Sequence, residues 1–129
     1  MRLKDSLYKI TNSESRIPNI EDGADILYEI RLDEKHFIYQ AHFPNEPITP
    51  GVCIIQIAKE LLEDLLHQRL EIQTVKNVKF LSVISPTESP LITYHFSPIS
   101  LTKGGCKSQV TVSSKKGTLA KLSFICKTY

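Results

Sequence analysis

The sequence has no tryptophan, one methionine and only three cysteines. Cys53, Cys106 and Cys126 are odd in number and far apart, which argues against a closed disulfide framework and against a paired-cysteine zinc site. They read as small core residues. Long apolar runs are also missing. The stretch from Val52 to Ala58 is broken by Gln56 and is far shorter than a membrane span, so no transmembrane helix is expected. The opening MRLKDSLYKI carries charges throughout and lacks the apolar core of a secretory signal, from which a cytoplasmic location is expected. Charge of one sign is scarce too: 16 Lys and Arg against 14 Asp and Glu give a net charge of +2. Without a basic stripe or aromatic-basic interleaving, nucleic acid is not an expected partner.

What remains is the composition of a soluble globular protein, 41% hydrophobic and 23% charged over 129 residues. That length suits one domain over residues 1–129 with one ordinary core. There is no internal repeat. From Ala24 to Leu32 apolar and polar residues alternate, the period of a half-buried strand, and a further extended piece is expected over Lys35 to Gln40.

From Pro50 to Gln68 the apolar residues Ile54, Ile57, Ala58, Leu61, Leu62 and Leu65 fall at helical spacing. Thr49 is the expected cap and Pro50 the expected first helical residue. Apolar residues surround the first two turns almost completely, so that end is expected to be deeply buried. Four extended stretches follow, near Ile72 to Val83, Leu91 to Ser97, Lys107 to Ser113 and Thr118 to Lys127, separated mostly by proline or glycine. The last three read as an antiparallel meander. One buried helix and about six strands imply an α+β fold in which a curved antiparallel sheet wraps the helix.

Chemistry concentrates in His42-Phe43-Pro44-Asn45-Glu46-Pro47-Ile48-Thr49-Pro50-Gly51-Val52. Its prolines stiffen a loop that leads into the helix. At the helix start the amides of Gly51 and Val52 have no intrahelical partner and carry the positive end of the dipole. A base, His42, and an oxyanion site at Gly51 suit proton removal α to a thioester, provided that the ring faces the helix tip across a cavity. The same residues are compatible with a loop histidine that bonds a backbone carbonyl.

The segment HFPNEPITPGVCIIQIAKE resembles the HFPxxPxxPGVLxxEAxAQ signature of the FabA/FabZ-like 3-hydroxyacyl-acyl-carrier-protein dehydratases. Weaker similarity continues through Asn77 to Pro86, where the family has an arginine-phenylalanine pattern before a proline turn. The resemblance runs from about Ala24 onward; the family's N-terminal proline-rich helix is not evident. It implies a hot-dog fold and a homodimer, often in larger assemblies, with active sites at the subunit interface. The implied substrate is a 3-hydroxyacyl chain on the phosphopantetheine arm of an acyl carrier protein, with no other cofactor. His42 would remove the α-proton, the Gly51 amide would hold the thioester oxygen, and Phe43, Pro50 and Val52 would line the substrate site. A family helix carboxylate works on the leaving hydroxyl.

That carboxylate aligns with Gln56, which cannot donate and recover a proton. One turn later, where the family often has glutamine, this chain has Glu60, so the two side chains look exchanged. Glu60 is then a candidate catalytic group alongside His42 and Gln56, unless it is a solvated member of a polar face with Lys59, Glu63 and Asp64. Glu46 is a weaker candidate. His36, His67 and His95 form no i, i+4 pair and no metal site is expected from them.

Three functions are compatible with these residues. The first is a dehydratase, or the reverse hydratase, in fatty-acid or polyene-type biosynthesis. The second is a weak or inactive hot-dog subunit that binds acyl chains or pairs as a heterodimer with an active homologue. The third is an acyl thioesterase. Lys76, Lys79, Lys103 and Lys107 either dock an acidic carrier protein or are ordinary surface lysines.

Overall fold

A computed structural model describes residues 2–15, 24–43 and 45–129. These residues form β1 (Tyr8–Ser15), β2 (Ala24–Leu32), α1 (Ile38–Ala41), α2 (Gly51–Leu66), β3 (Leu70–Phe80), β4 (Leu91–Thr102), β5 (Gly105–Ser114) and β6 (Gly117–Thr128). The strands make one sheet in the order β1-β2-β4-β5-β6-β3, with every pair antiparallel. The expected meander is β4-β5-β6. Strand β3, reached by way of α2, crosses to the far edge and among the described residues pairs with β6 alone.

The sheet wraps α2, the hot-dog arrangement. Ile54, Ile57, Ala58, Leu61 and Leu62 of α2 are buried against inward residues of four strands, among them Ile30, Tyr94, Phe96, Val110, Leu122 and Phe124. Each Ile or Leu of this stripe contributes about 1.5–3 kcal/mol on burial, so the helical stripe and the period-2 strands stabilise one another. All three cysteines lie in this core, as their composition suggests.

Four expectations need correction. First, the segment near Lys35 to Gln40 is not extended. Asp33 accepts the Lys35 amide at 2.9 Å in an Asx turn, and the chain then winds into α1. Alternation of Phe37 and Tyr39 imitated a strand, yet Phe37 is exposed and Tyr39 buried. Second, Thr49 does not cap α2: the N-cap is Pro50, with extended backbone, and Gly51 is the first helical residue. Third, the helix start is not buried all round, because Val52 is 65% exposed. Fourth, β4 runs past Ser97 to Thr102; it tolerates Pro98 at a register shift between Phe96 and Ile99, where the ladder needs no donor.

Strand β1 has no clear alternation in its sequence, YKITNSES. It is an edge strand whose period is broken by a bulge between Ile10 and Asn12. Pro44, one of the three prolines of the loop, lies outside the described residues.

Candidate active site

The loop that carries His42 is held at both ends by backbone bonds. The His42 amide donates to the Ile38 carbonyl at 3.1 Å, ending α1, and the Ile48 amide donates to the His42 carbonyl at 2.7 Å. Phe43 and Glu46 exchange two backbone bonds between these points, at 3.3 and 3.1 Å. The peptide that joins His42 to Phe43 is cis. The Phe43 ring meets the imidazole edge to face at a centroid distance of 5.7 Å.

Thr49 anchors the next step. Its amide donates to the Ile84 carbonyl at 2.8 Å, and its buried hydroxyl shares a 2.9 Å hydrogen bond with the Tyr39 hydroxyl. Burial pushes the Tyr39 hydroxyl up to about 12, against a smaller opposite pull from the Thr49 bond. Beneath them Tyr94 donates to the Ile54 carbonyl at 2.9 Å inside the first turn of α2. Thr49, Tyr39 and Tyr94 thus set the height and direction of the helix start.

At that start, the first intrahelical bonds are those of the Cys53 and Ile54 amides to the Pro50 carbonyl, so the Gly51 and Val52 amides precede the ladder. Beside them lies a cleft of about 490 Å³ bounded by Ile48 to Gly51, Ile54 and Phe80 to Ile84. The Phe80 ring leans on Gly51. Sequence reasoning assigned Phe80 no part, although the aromatic in the resembling strand after the helix was the signal for it.

His42 does not line this cleft. Within the single chain its side chain is exposed, as are Phe43 and Val52. The expected pairing of imidazole and helix tip is therefore not complete in one chain. Around the cleft mouth Val52, Phe80, Leu81 and Val83 are all at least half exposed, an apolar concentration unusual for an isolated surface.

Glu60 stands apart from both expectations made for it. Far from being solvated, it is 2% exposed. Its Oε1 accepts the Lys4 amide at 2.7 Å and the Tyr8 hydroxyl at 3.1 Å, and its Oε2 accepts the Leu3 amide and the Gln56 Nε2, each at 2.8 Å. Both of its oxygens are thus engaged by donors of the protein itself. One turn on, Asp64 accepts from Lys4 Nζ at 3.1 Å and from the Tyr28 hydroxyl at 3.0 Å. Tyr8 and Tyr28 are both raised in pKa, first by burial and then by these carboxylates.

The lysines divide by position. Lys76, Lys79 and Lys107 are exposed on the outward faces of β3 and β5, and Lys76 and Lys107 border a shared cleft of about 250 Å³. Lys103 lies in the β4–β5 turn. No helix among the described residues is long and apolar enough to cross a membrane.

The family model of the ApeI-like dehydratases, described as ApeI dehydratase, matches residues 18–120. The chain belongs to this family. Its sequence is 26% identical over 117 residues to the 3-hydroxyacyl-acyl-carrier-protein dehydratase FabZ of Latilactobacillus sakei subsp. sakei strain 23K, covering 85% of this chain and 84% of that protein. In fold it is similar to a chain of the dehydratase heterocomplex ApeI:P from Xenorhabdus doucetiae, with a TM-score of 0.63 at 17% identity over 92% of this chain and 96% of that one. It is also similar to a hypothetical thioesterase with coenzyme A from Streptococcus pneumoniae TIGR4, with a TM-score of 0.61 at 10% identity over 92% and 86%. These likenesses confirm the hot-dog fold, and the family match identifies a dehydratase-type enzyme.

Proposed function

We propose that this chain eliminates water from 3-hydroxyacyl thioesters carried on the phosphopantetheine arm of an acyl carrier protein, in fatty-acid or polyene-type synthesis, or runs the reverse hydration. The observation that carries the reading is the tethered His42 loop entering a helix whose first amides, at Gly51 and Val52, have no place in the helical ladder. The thioester oxygen accepts from those amides as it gains negative charge. His42 takes the α-proton, the electron pair forms the 2,3 double bond, and the carbon–oxygen bond at C3 breaks. The imidazolium returns the proton to the departing hydroxide, so that a trans-2-enoyl thioester and water leave. Gln56 hydrogen-bonds the hydroxyl and exchanges no proton with it. Phe43, Pro50 and Val52 line the acyl path.

In this reading a second subunit encloses the ring of His42. The apolar cleft mouth and the one-sided pairing of β3 favour such an assembly, as a homodimer or with a homologue. Lys76, Lys79 and Lys107 offer the carrier protein a basic docking face, with Lys103 at its margin. The test is conversion of a carrier-bound 3-hydroxyacyl chain to enoyl product by the purified protein. His42→Ala is expected to lower the rate at least about 10²-fold. No enoyl product from the unaltered protein would replace this reading with a binding role, release of free thiol with no enoyl product would replace it with a thioesterase, and enoyl formation unaffected by His42→Ala would remove His42 from the reaction.

A second reading is favoured by Gln56 itself, which removes a carboxyl acid from the helix. In it the chain is a weak or inactive partner that reaches full turnover only beside a homologue; the Xenorhabdus protein that it resembles in fold is itself part of a dehydratase heterocomplex. Activity that appears only on mixing with a homologous subunit distinguishes it.

A further inference from the structure

Glu60 is a buried charge that the proposed reaction does not use. A carboxylate offers about four acceptor directions and no donor. Here four donors occupy them: two backbone amides, one phenol and one side-chain amide. A buried carboxylate is tolerable only with such compensation. Because it can only accept, it takes hold of the nitrogen end of the Gln56 amide and not the oxygen end. Gln56 lies one turn earlier on the same helix face, which is the spacing that lets the two side chains meet.

We propose that Glu60 is a positioning residue for Gln56: it sets which way round the Gln56 amide stands and couples that orientation to the docking of residues 3–8 on α2. Asp64 strengthens the same attachment through Lys4 and Tyr28. A glutamine at position 60 would present one acceptor atom and one donor atom to four donors. It would hold the Leu3 and Lys4 amides poorly and could meet the Gln56 amide with either end, so that the preference that Glu60 gives for the nitrogen end is lost. The apparent exchange of glutamate and glutamine along α2 is, on this account, an exchange of anchoring and not of acid–base duty. For its effect on turnover the inference rests on the dehydratase reading; the anchoring itself does not.

The experiment has two arms. In the first, kcat, KM and the pH profile for a 3-hydroxyacyl thioester are measured for the unaltered chain, Glu60→Gln, Tyr8→Phe and the reversed pair Gln56→Glu with Glu60→Gln. Glu60→Gln is expected to lower kcat by about 10- to 100-fold, the scale of a small misplacement, with KM and the shape of the pH profile kept. Tyr8→Phe, which leaves the Gln56 contact in place, is expected to keep kcat, and the reversed pair to recover it. Loss of an ionisation from the profile in Glu60→Gln would make Glu60 the acid and overturn the proposal, as would an undiminished kcat.

In the second arm, the side-chain amide of Gln56 is followed by ¹⁵N NMR in the unaltered chain, Tyr8→Phe and Glu60→Gln, all without substrate. A shifted, exchange-protected proton is expected in the unaltered chain and in Tyr8→Phe, and its loss in Glu60→Gln. A freely exchanging Gln56 amide in the unaltered chain overturns the proposal whatever the activity. An inactive chain with a protected amide overturns the dehydratase reading and leaves the anchoring standing.

Discussion

The Phe80 ring rests so closely on Gly51 that a Cβ at position 51 would come within 2.8 Å of its Cζ. With glycine at residue 51 the half-exposed Phe80 ring can lie against the helix start; any side chain there would make the ring shift. Gly51→Ala is expected to cost about 1–2 kcal/mol by overpacking, partly offset by up to about 1 kcal/mol of helix propensity. In a Phe80→Ala background the clash disappears and only the propensity remains. The sign of Gly51→Ala should therefore invert there, read as the urea midpoint in a double-mutant cycle. A cost that is the same in both backgrounds would separate Gly51 from Phe80.

Gly105 is a stricter case. Its hypothetical Cβ would lie 2.0 Å from the Cys126 carbonyl oxygen, a backbone atom that cannot rotate away. Gly105→Ala must part β5 from β6 at the start of their pairing. A loss of about 3 kcal/mol or more is expected, at the upper end for single substitutions. Thermal unfolding measures it directly; a Tm within a degree of the unaltered chain would mean that the hairpin is looser than this contact requires.

These two glycines show what the sequence revealed and what it hid. The run from Gly104 to Gly105 was legible as a break between strands, because glycine punctuates local structure. The close approach of Cys126 was not legible, because it depends on a neighbour 21 positions away. The α2 stripe and β2, β4, β5 and β6 were readable since burial of one face imposes a period on the residues. Strand β1 was not, because Tyr8 and Ile10 pack inward but the bulge after Ile10 and the polar residues that follow break the period. At the site, His42 and Gly51 were named by a motif. Glu60 was misjudged because its neighbours in sequence, Lys59 and Glu63, suggest solvent, whereas the donors that bury it come from Leu3, Lys4 and Tyr8.

Four tyrosines make the fold sensitive to alkali. Burial, the leading cause in each, raises the hydroxyls of Tyr8, Tyr28, Tyr39 and Tyr94 above the ordinary value of about 10. In the unfolded chain these phenols ionise first, so unfolding releases protons. Their contribution to stability is intact below about pH 10 and declines as pH rises through about 12, where Tyr39 ionises in the fold. Each tyrosine that stays protonated contributes up to about 1.4 kcal/mol per pH unit to the slope. Tyr94→Phe removes one such term. Urea unfolding between about pH 10 and 11.5 should then fall less steeply than in the unaltered chain, even though the lost bond to the Ile54 carbonyl lowers the starting stability by about 1 kcal/mol. Equal slopes would show that Tyr94 titrates alike in both states.

The exposed apolar residues beside the cleft supply a test that separates a subunit contact from an ordinary surface. Leu81 is 56% and Val83 64% exposed in the single chain. On a free surface Val83→Asp would change stability by no more than about 0.5 kcal/mol and leave the molecular mass alone. Inside a subunit contact it would bury an unpaired charge, at a cost of several kcal/mol of association. Sedimentation is expected to show a species larger than the 14.6 kDa chain for the unaltered protein and a shift toward that mass for Val83→Asp. Turnover should fall in step with the loss of the larger species, because His42 is open to solvent when a chain stands alone. An unaltered protein that sediments as a 14.6 kDa monomer while still producing enoyl thioester would place the reaction within one chain, and the enclosure of His42 by a second subunit would have to be given up.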